Sequence, residues 1–156
     1  MPGKAEEQTR HWLGALSRLG LLHAETSNGV TRYRRPDNSA AVHRLHALAQ
    51  VIMQTLERHY IIVATLAAAG QGNLTRSELE SRCHAQAQRM SRLQGLNAPE
   101  FFDMKLIRGI ITLLFNRSVL FANADGQLNF NETIHRVTQA AELVISADFR
   151  QGLLRG

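Results

Sequence analysis

A chain of 156 residues, 44% hydrophobic and 20% charged, is long enough to bury a core and too apolar to be disordered throughout. Its single cysteine, Cys83, excludes an internal disulfide and any cysteine-based zinc site within the chain. The formal charge of +5 suits contact with an anionic surface, nucleic acid or phospholipid, and the N-terminal MPGKAEEQTR lacks the apolar run of a signal peptide.

Residues 5–20 place Trp12, Leu13, Leu16 and Leu19 at helical spacing, and Gly20 ends that helix. Residues 21–35 read as a β-hairpin, because Asn28-Gly29 is a strong two-residue turn signal and Val30, Thr31 and Tyr33 favour strands. Pro36 stops the second strand. Residues 37–70 then form one long helix or two in line. Their most apolar end, YIIVATLAAAG (60–70), falls well short of the roughly 20 residues needed to cross a bilayer. The GQGN turn (70–73) leads to Thr75-Arg76-Ser77-Glu78, a capping box opening a helix whose inner face holds Leu79, Cys83, Met90 and Leu93.

That helix runs into RLQGLNAPEFFD (92–103), a stop followed at once by a start. Gly95 suits the left-handed position just past a helix, Asn97 is a good N-cap, and Pro99 and Glu100 fit the first turn. A helix over 98–116 follows. Its stripe of Phe102, Leu106, Ile110, Leu113 and Leu114 is widened by Phe101, Ile107 and Ile111. A second hairpin, 118–131, turns at Asp125-Gly126, and a last helix runs from Glu132 to Ile145 and on toward Leu154. VHRLHALAQVI (42–52) and IHRVTQAAELV (134–144) align without a gap, each following a helix and a hairpin. The expectation is a mostly α fold with two short β-hairpins. It forms one domain over 1–156, with winged-helix-like lobes 5–70 and 75–154 joined by the central helices.

Little in this pattern supports catalysis. His43 and His46 share a helix face, but no carboxylate stands within a turn of them, and His135 has only Glu132 nearby, so no metal site is assigned. There is no G-x-S-x-G elbow and no phosphate-binding glycine loop, and Cys83 lies on a helix inner face as a small core residue. Glu100 and Asp103 complement a helix dipole rather than act as an acid–base pair. No catalytic residue and no cofactor is assigned. Arg32, Arg34 and Arg35, with Tyr33 among them, are the candidate contact for an anionic surface, as the wing of a winged helix grips phosphate. A nucleic-acid-binding winged helix is thus the alternative reading. Against it, the helices before the hairpins lack a reading face rich in Arg, Asn and Gln, and FANADGQLNFN has no basic residue.

AQRMSRLQGLNAPEFFD (87–103) closely resembles a segment near the C-terminus of the bacterial membrane-associated glycerol-3-phosphate 1-acyltransferases. LERHYIIVATLA (56–67), TRSELES (75–81) and AAELVISADFR (140–150) are similar to the same family, so the resemblance covers about 37–150, with 5–36 matching only in pattern. It implies acyl transfer from acyl-CoA or acyl-carrier protein to the 1-hydroxyl of glycerol 3-phosphate, performed by a His-x4-Asp motif. The fifth residue after His11, His23, His43, His46, His59, His84 and His135 is Leu, Asn, Leu, Val, Ala, Arg and Ala, never Asp. The expectation is therefore the C-terminal region alone, a non-catalytic accessory module without the catalytic domain. Its implied partners are that domain and an anionic phospholipid surface. The implied location is the cytoplasmic face of the inner membrane through the parent, the module itself being soluble.

Overall fold

The computed structural model describes residues 2–93, 95 and 99–154. Among them the chain forms six α-helices, one 3-10 turn and two antiparallel two-stranded sheets, a mostly helical fold with short hairpins. It divides into two compact units, Met1–Ile52 and Met53–Gly156. The boundary falls inside the helix that runs over Ser39–Ala69.

In the first unit, α1 spans Pro2–Arg18. It ends in a Schellman motif: Gly20 has φ +68°, its N–H donates to Ser17 O (3.0 Å), and the Leu21 N–H donates to Leu16 O (2.9 Å). Strands β1 (His23–Ser27) and β2 (Val30–Arg34) pair with Thr26 opposite Thr31 and Glu25 opposite Arg32. Asn28 and Gly29 take φ of 52° and 74°, the two successive left-handed residues of a type I′ turn. Asn38 Oδ1 then accepts from the Ala41 N–H (2.7 Å), capping α2, which runs unbroken over Ser39–Ala69. Of the described residues up to Ile52, only Leu21, Pro36 and Ala41 are buried. Of the residues at helical spacing in the first helix, Trp12 and Leu19 are 60% and 70% exposed, while Leu13 and Leu16 are half-buried.

The second unit holds the core. After α2 come α3 (Arg76–Leu93), the 3-10 turn Pro99–Phe102, α4 (Met104–Asn116), β3 (Leu120–Ala122), β4 (Leu128–Phe130), α5 (Thr133–Ala141) and α6 (Ala147–Leu154). Ile61, Ile62 and Leu66 of α2 pack with Leu79, Cys83, Ala87 and Met90 of α3, Ile107 and Ile111 of α4, and Phe101 and Phe149. The capping box forms as the sequence predicts: the Thr75 N–H donates to Glu78 Oε2 (2.7 Å) and the Glu78 N–H to Thr75 Oγ1 (3.3 Å). The segment before it runs along β4: the Gly72 N–H donates to Leu128 O (2.8 Å) and the Leu128 N–H to Leu74 O (2.7 Å). The side chain of Gln71 in the GQGN turn meets the Phe130 backbone twice, donating at 2.7 Å and accepting at 2.8 Å. Helix, short extended segment, two helices and hairpin follow one another in this unit.

Four details depart from the sequence reading. The helix expected over 98–116 is broken, because Asp103 is extended (φ −60°, ψ 119°) and its side chain accepts from the Lys105 N–H, making it the N-cap of α4. The proposed cap Asn97 and start Ala98 lie outside the described residues. The last helix is likewise two, because Ser146 Oγ accepts from the Phe149 N–H (3.2 Å) and opens α6 afresh. Leu93 is 66% exposed, and Ala87 takes its expected place inside. The two repeat-like segments also sit differently: 42–52 lies within the long α2, whereas 134–144 runs from α5 into the turn beyond it.

Two substitutions check this burial. Leu79→Ala leaves a cavity in the core of the second unit and is expected to cost about 2–5 kcal/mol in urea unfolding. Trp12→Ala, at an exposed position, should change stability by no more than about 0.5 kcal/mol.

Candidate functional site

Among the described residues, a polar arrangement lies where the Pro99–Phe102 turn leads into α4. Arg58 stands in α2 between Glu57 and His59, just ahead of an apolar run, and is buried. Its Nε–H donates to the Phe101 carbonyl (3.0 Å), and its guanidinium carbon lies 5.8 Å from the centroid of the Phe101 ring. From α3, His84 Nδ1 meets the Phe102 carbonyl at 2.8 Å, which makes Nδ1 the protonated nitrogen. Two successive carbonyls of the 3-10 turn, which a regular helix would have paired internally, are thus bonded by side chains of two other helices. Burial lowers the Arg58 pKa from its ordinary value, and the charges of Asp103 and Glu100 oppose that shift.

The two rings of the corner divide their labour. Phe101 is fully buried and meets Phe149 of α6 edge-on at 6.4 Å, and Phe149 in turn lies 6.5 Å from Tyr60. Phe102 is half-buried and stands edge-on to His84 at 6.2 Å. Leu106 and Leu113, predicted on the buried stripe, are both 42% exposed, so the inward face of α4 is Ile107, Ile110 and Ile111. Farther along α3, Glu80 bridges two helices, accepting from Arg76 (3.0 Å) and from Arg108 of α4 (2.8 Å). Burial pushes the Glu80 pKa up, but the Arg108 and Arg76 hydrogen bonds prevail and hold it below the ordinary carboxylate value.

The first hairpin does not present three equivalent cations. Arg34 is engaged, bonding Glu25 (3.1 Å) and Asp37 (3.0 Å), and those hydrogen bonds raise its pKa. Arg32, opposite Glu25 in the register, and Arg35 are exposed and join no ion pair among the described residues. On the strand face bearing Thr31 and Tyr33, a cleft of about 720 Å³ opens against α1, lined also by Glu6, Thr9, Arg10 and Leu13. Its charges are of mixed sign. The tip of the second hairpin is Asn123 to Gln127, where Asn123 Oδ1 accepts from the Asp125 and Gln127 N–H groups (3.1 and 2.8 Å). Asp125 is the only charge there, which is wrong in sign for gripping phosphate. The nucleic-acid alternative gains no support from either hairpin.

The histidines are occupied locally. His43 and His59 bond the carbonyls four residues back, Ser39 and Thr55, both at 2.7 Å, and the His135 ring packs on Phe130 at 5.6 Å. Cys83 is buried, and desolvation pushes its thiol up to about 12. The sequence reading missed Arg58 and His84 as a pair. The available signal was a lone arginine at the head of an apolar run, in ERHYIIV (57–63).

Residues 1–123 match the family model described as the glycerol-3-phosphate acyltransferase C-terminal region, so the match reaches the 5–36 segment that had resembled the family only in pattern. Among curated relatives, the glycerol-3-phosphate acyltransferase of Pseudomonas paraeruginosa is 41% identical over 140 residues, 89% of this chain and 16% of the relative. That of Pseudomonas entomophila is 40% identical over 151 residues, 96% of this chain and 18% of the relative, and one from Pseudomonas putida is 38% identical with the same coverage. The chain therefore spans less than a fifth of the length of these relatives. No solved structure matches it.

Removing the Arg58 fork strands the Phe101 carbonyl, so Arg58→Met is expected to cost about 1–3 kcal/mol in denaturant unfolding. Because the folded-state thiol pKa of Cys83 is raised to about 12, its neutral form is intact in the fold and iodoacetamide should not label it at pH 8. Labelling should appear on unfolding, where the thiol titrates near about 8.5. The stability this group lends is present below about pH 8.5 and is lost as pH rises toward the folded value.

Proposed function

The chain belongs to the family of glycerol-3-phosphate acyltransferase C-terminal regions, and from that premise we propose that it is a non-catalytic module of a longer acyltransferase polypeptide. It folds and docks beside the part that transfers an acyl group from acyl-CoA or acyl-carrier protein to the 1-hydroxyl of glycerol 3-phosphate, a step of phospholipid synthesis. One observation carries the reading: none of the seven histidines is followed by the aspartate that the family's His-x4-Asp motif requires. A general base must have a free nitrogen aimed at the hydroxyl it deprotonates. His84 donates its Nδ1–H to a carbonyl of the α3–α4 corner, and His43 and His59 donate theirs to carbonyls of their own helix, so a carbonyl stands where an orienting aspartate would be.

Exposed Arg32 and Arg35 support a second contact, with anionic phospholipid headgroups at the cytoplasmic face of the inner membrane, reached through the parent. Among the described residues no helix is long and apolar enough to cross a membrane, so such a contact would be peripheral for these helices. Surface cations of this sort add attraction that salt screens.

Incubation of the purified chain with palmitoyl-CoA and glycerol 3-phosphate is expected to yield no lysophosphatidate, and its formation would overturn the proposal. In a separate binding assay, retention on vesicles containing anionic phospholipid should weaken when Arg32 and Arg35 are both changed to alanine. Unchanged retention would remove those two residues from the account.

A further inference from the structure

The first unit carries more exposed apolar surface than its buried core explains. Among the described residues its buried set is Leu21, Pro36 and Ala41, whereas Leu48, Val51 and Ile52 in the first part of α2 are 48%, 77% and 56% exposed. Those three stand at i, i+3 and i+4, on one face of the helix. Globular domains rarely leave such a contiguous face to water, and where they do it marks an interaction site.

The chemistry of that face selects its occupant. No charged side chain stands between Arg44 and Glu57, and the polar residues interspersed there are His46, Gln50, Gln54 and Thr55. A helix that lies on an anionic bilayer carries Lys and Arg along the borders of its apolar face, and nucleic acid demands cations. Arg44 lies one turn before this face and Thr55 one turn after it, while His46 and Gln50 fall on the opposite side of the helix; between Arg44 and Thr55 the face is neutral and apolar, which fits protein. The protein at hand is the rest of the polypeptide: this chain spans only 16–18% of relatives that match it over 89–96% of its own length.

We propose that the Leu48–Val51–Ile52 face of α2 is the seat of the remaining, upstream part of the acyltransferase polypeptide. This rests on the reading of the chain as a module of a longer protein, and it assigns the docking surface to the first unit. The exposed leucines of the second unit, such as Leu143 at 89%, are not part of that seat.

A photo-crosslinking residue placed at Val51 of the full-length polypeptide is the test, with the same residue at Leu143 as the comparison. Val51 should give cross-links within one polypeptide, mapped by mass spectrometry to sequence upstream of this region, and Leu143 should give none to that sequence. Cross-links from Val51 to a second copy, to lipid alone, or to nothing would overturn the assignment. So would equal yields to upstream sequence from both positions. None of these outcomes depends on whether the isolated chain has acyltransferase activity, so the docking surface and the non-catalytic reading fail separately.

Discussion

The fold of the larger unit depends on how two carbonyls are satisfied where the chain turns between α3 and α4. Phe101 is drawn fully inside by its contacts with Phe149 and the core, and its backbone must follow. An apolar interior offers that backbone no water, and an unpaired buried carbonyl costs about 1–3 kcal/mol. Arg58 and His84 supply the missing donors from α2 and α3. In this way a local break in regular structure becomes a joint at which three helices are tied together. The arginine is costly to bury, but its fork, the ring of Phe101 and the nearby carboxylates of Asp103 and Glu100 compensate that charge.

Neighbouring features reinforce the same joint. Asp103 stops the 3-10 turn and caps α4, which fixes the direction in which Ile107, Ile110 and Ile111 enter the core. Glu80 links α3 to α4 farther on through Arg108, and Arg89 donates to the carbonyls of Gly152 and Leu153, holding the end of α6. Polar side chains of α3 thus serve mainly to hold other elements in place. Glu80, His84 and Arg89 of α3 are thereby each committed to another element of the unit.

Much of this architecture was legible from short-range chemistry. Asn28-Gly29, the Thr75–Glu78 box, Gly95 with its φ of +61° and the Asp125-Gly126 turn each depend on residues within four positions, and all appear as the local rules predict. The errors arose where a distant contact chose between local options. Pro99 to Phe102 is compatible with a first helical turn, yet side chains from α2 and α3 hold it as a 3-10 turn capped off by Asp103. Ser146 reopens a helix that apolar periodicity alone would have continued. Trp12 and Leu19 obey helical spacing, but spacing cannot tell whether a face meets this chain or another. The Arg32–Arg35 cluster looked uniform in sequence, and only the turn back to Asp37 reveals that Arg34 is already paired.

The central claim is that Arg58 acts through structure rather than through substrate. The direct measurement is steady-state kinetics of the full-length acyltransferase polypeptide carrying Arg58→Met, set beside its half-life at elevated temperature. The account predicts a shortened half-life with kcat and KM for glycerol 3-phosphate unchanged at low temperature. A fall in kcat with the half-life preserved would contradict it.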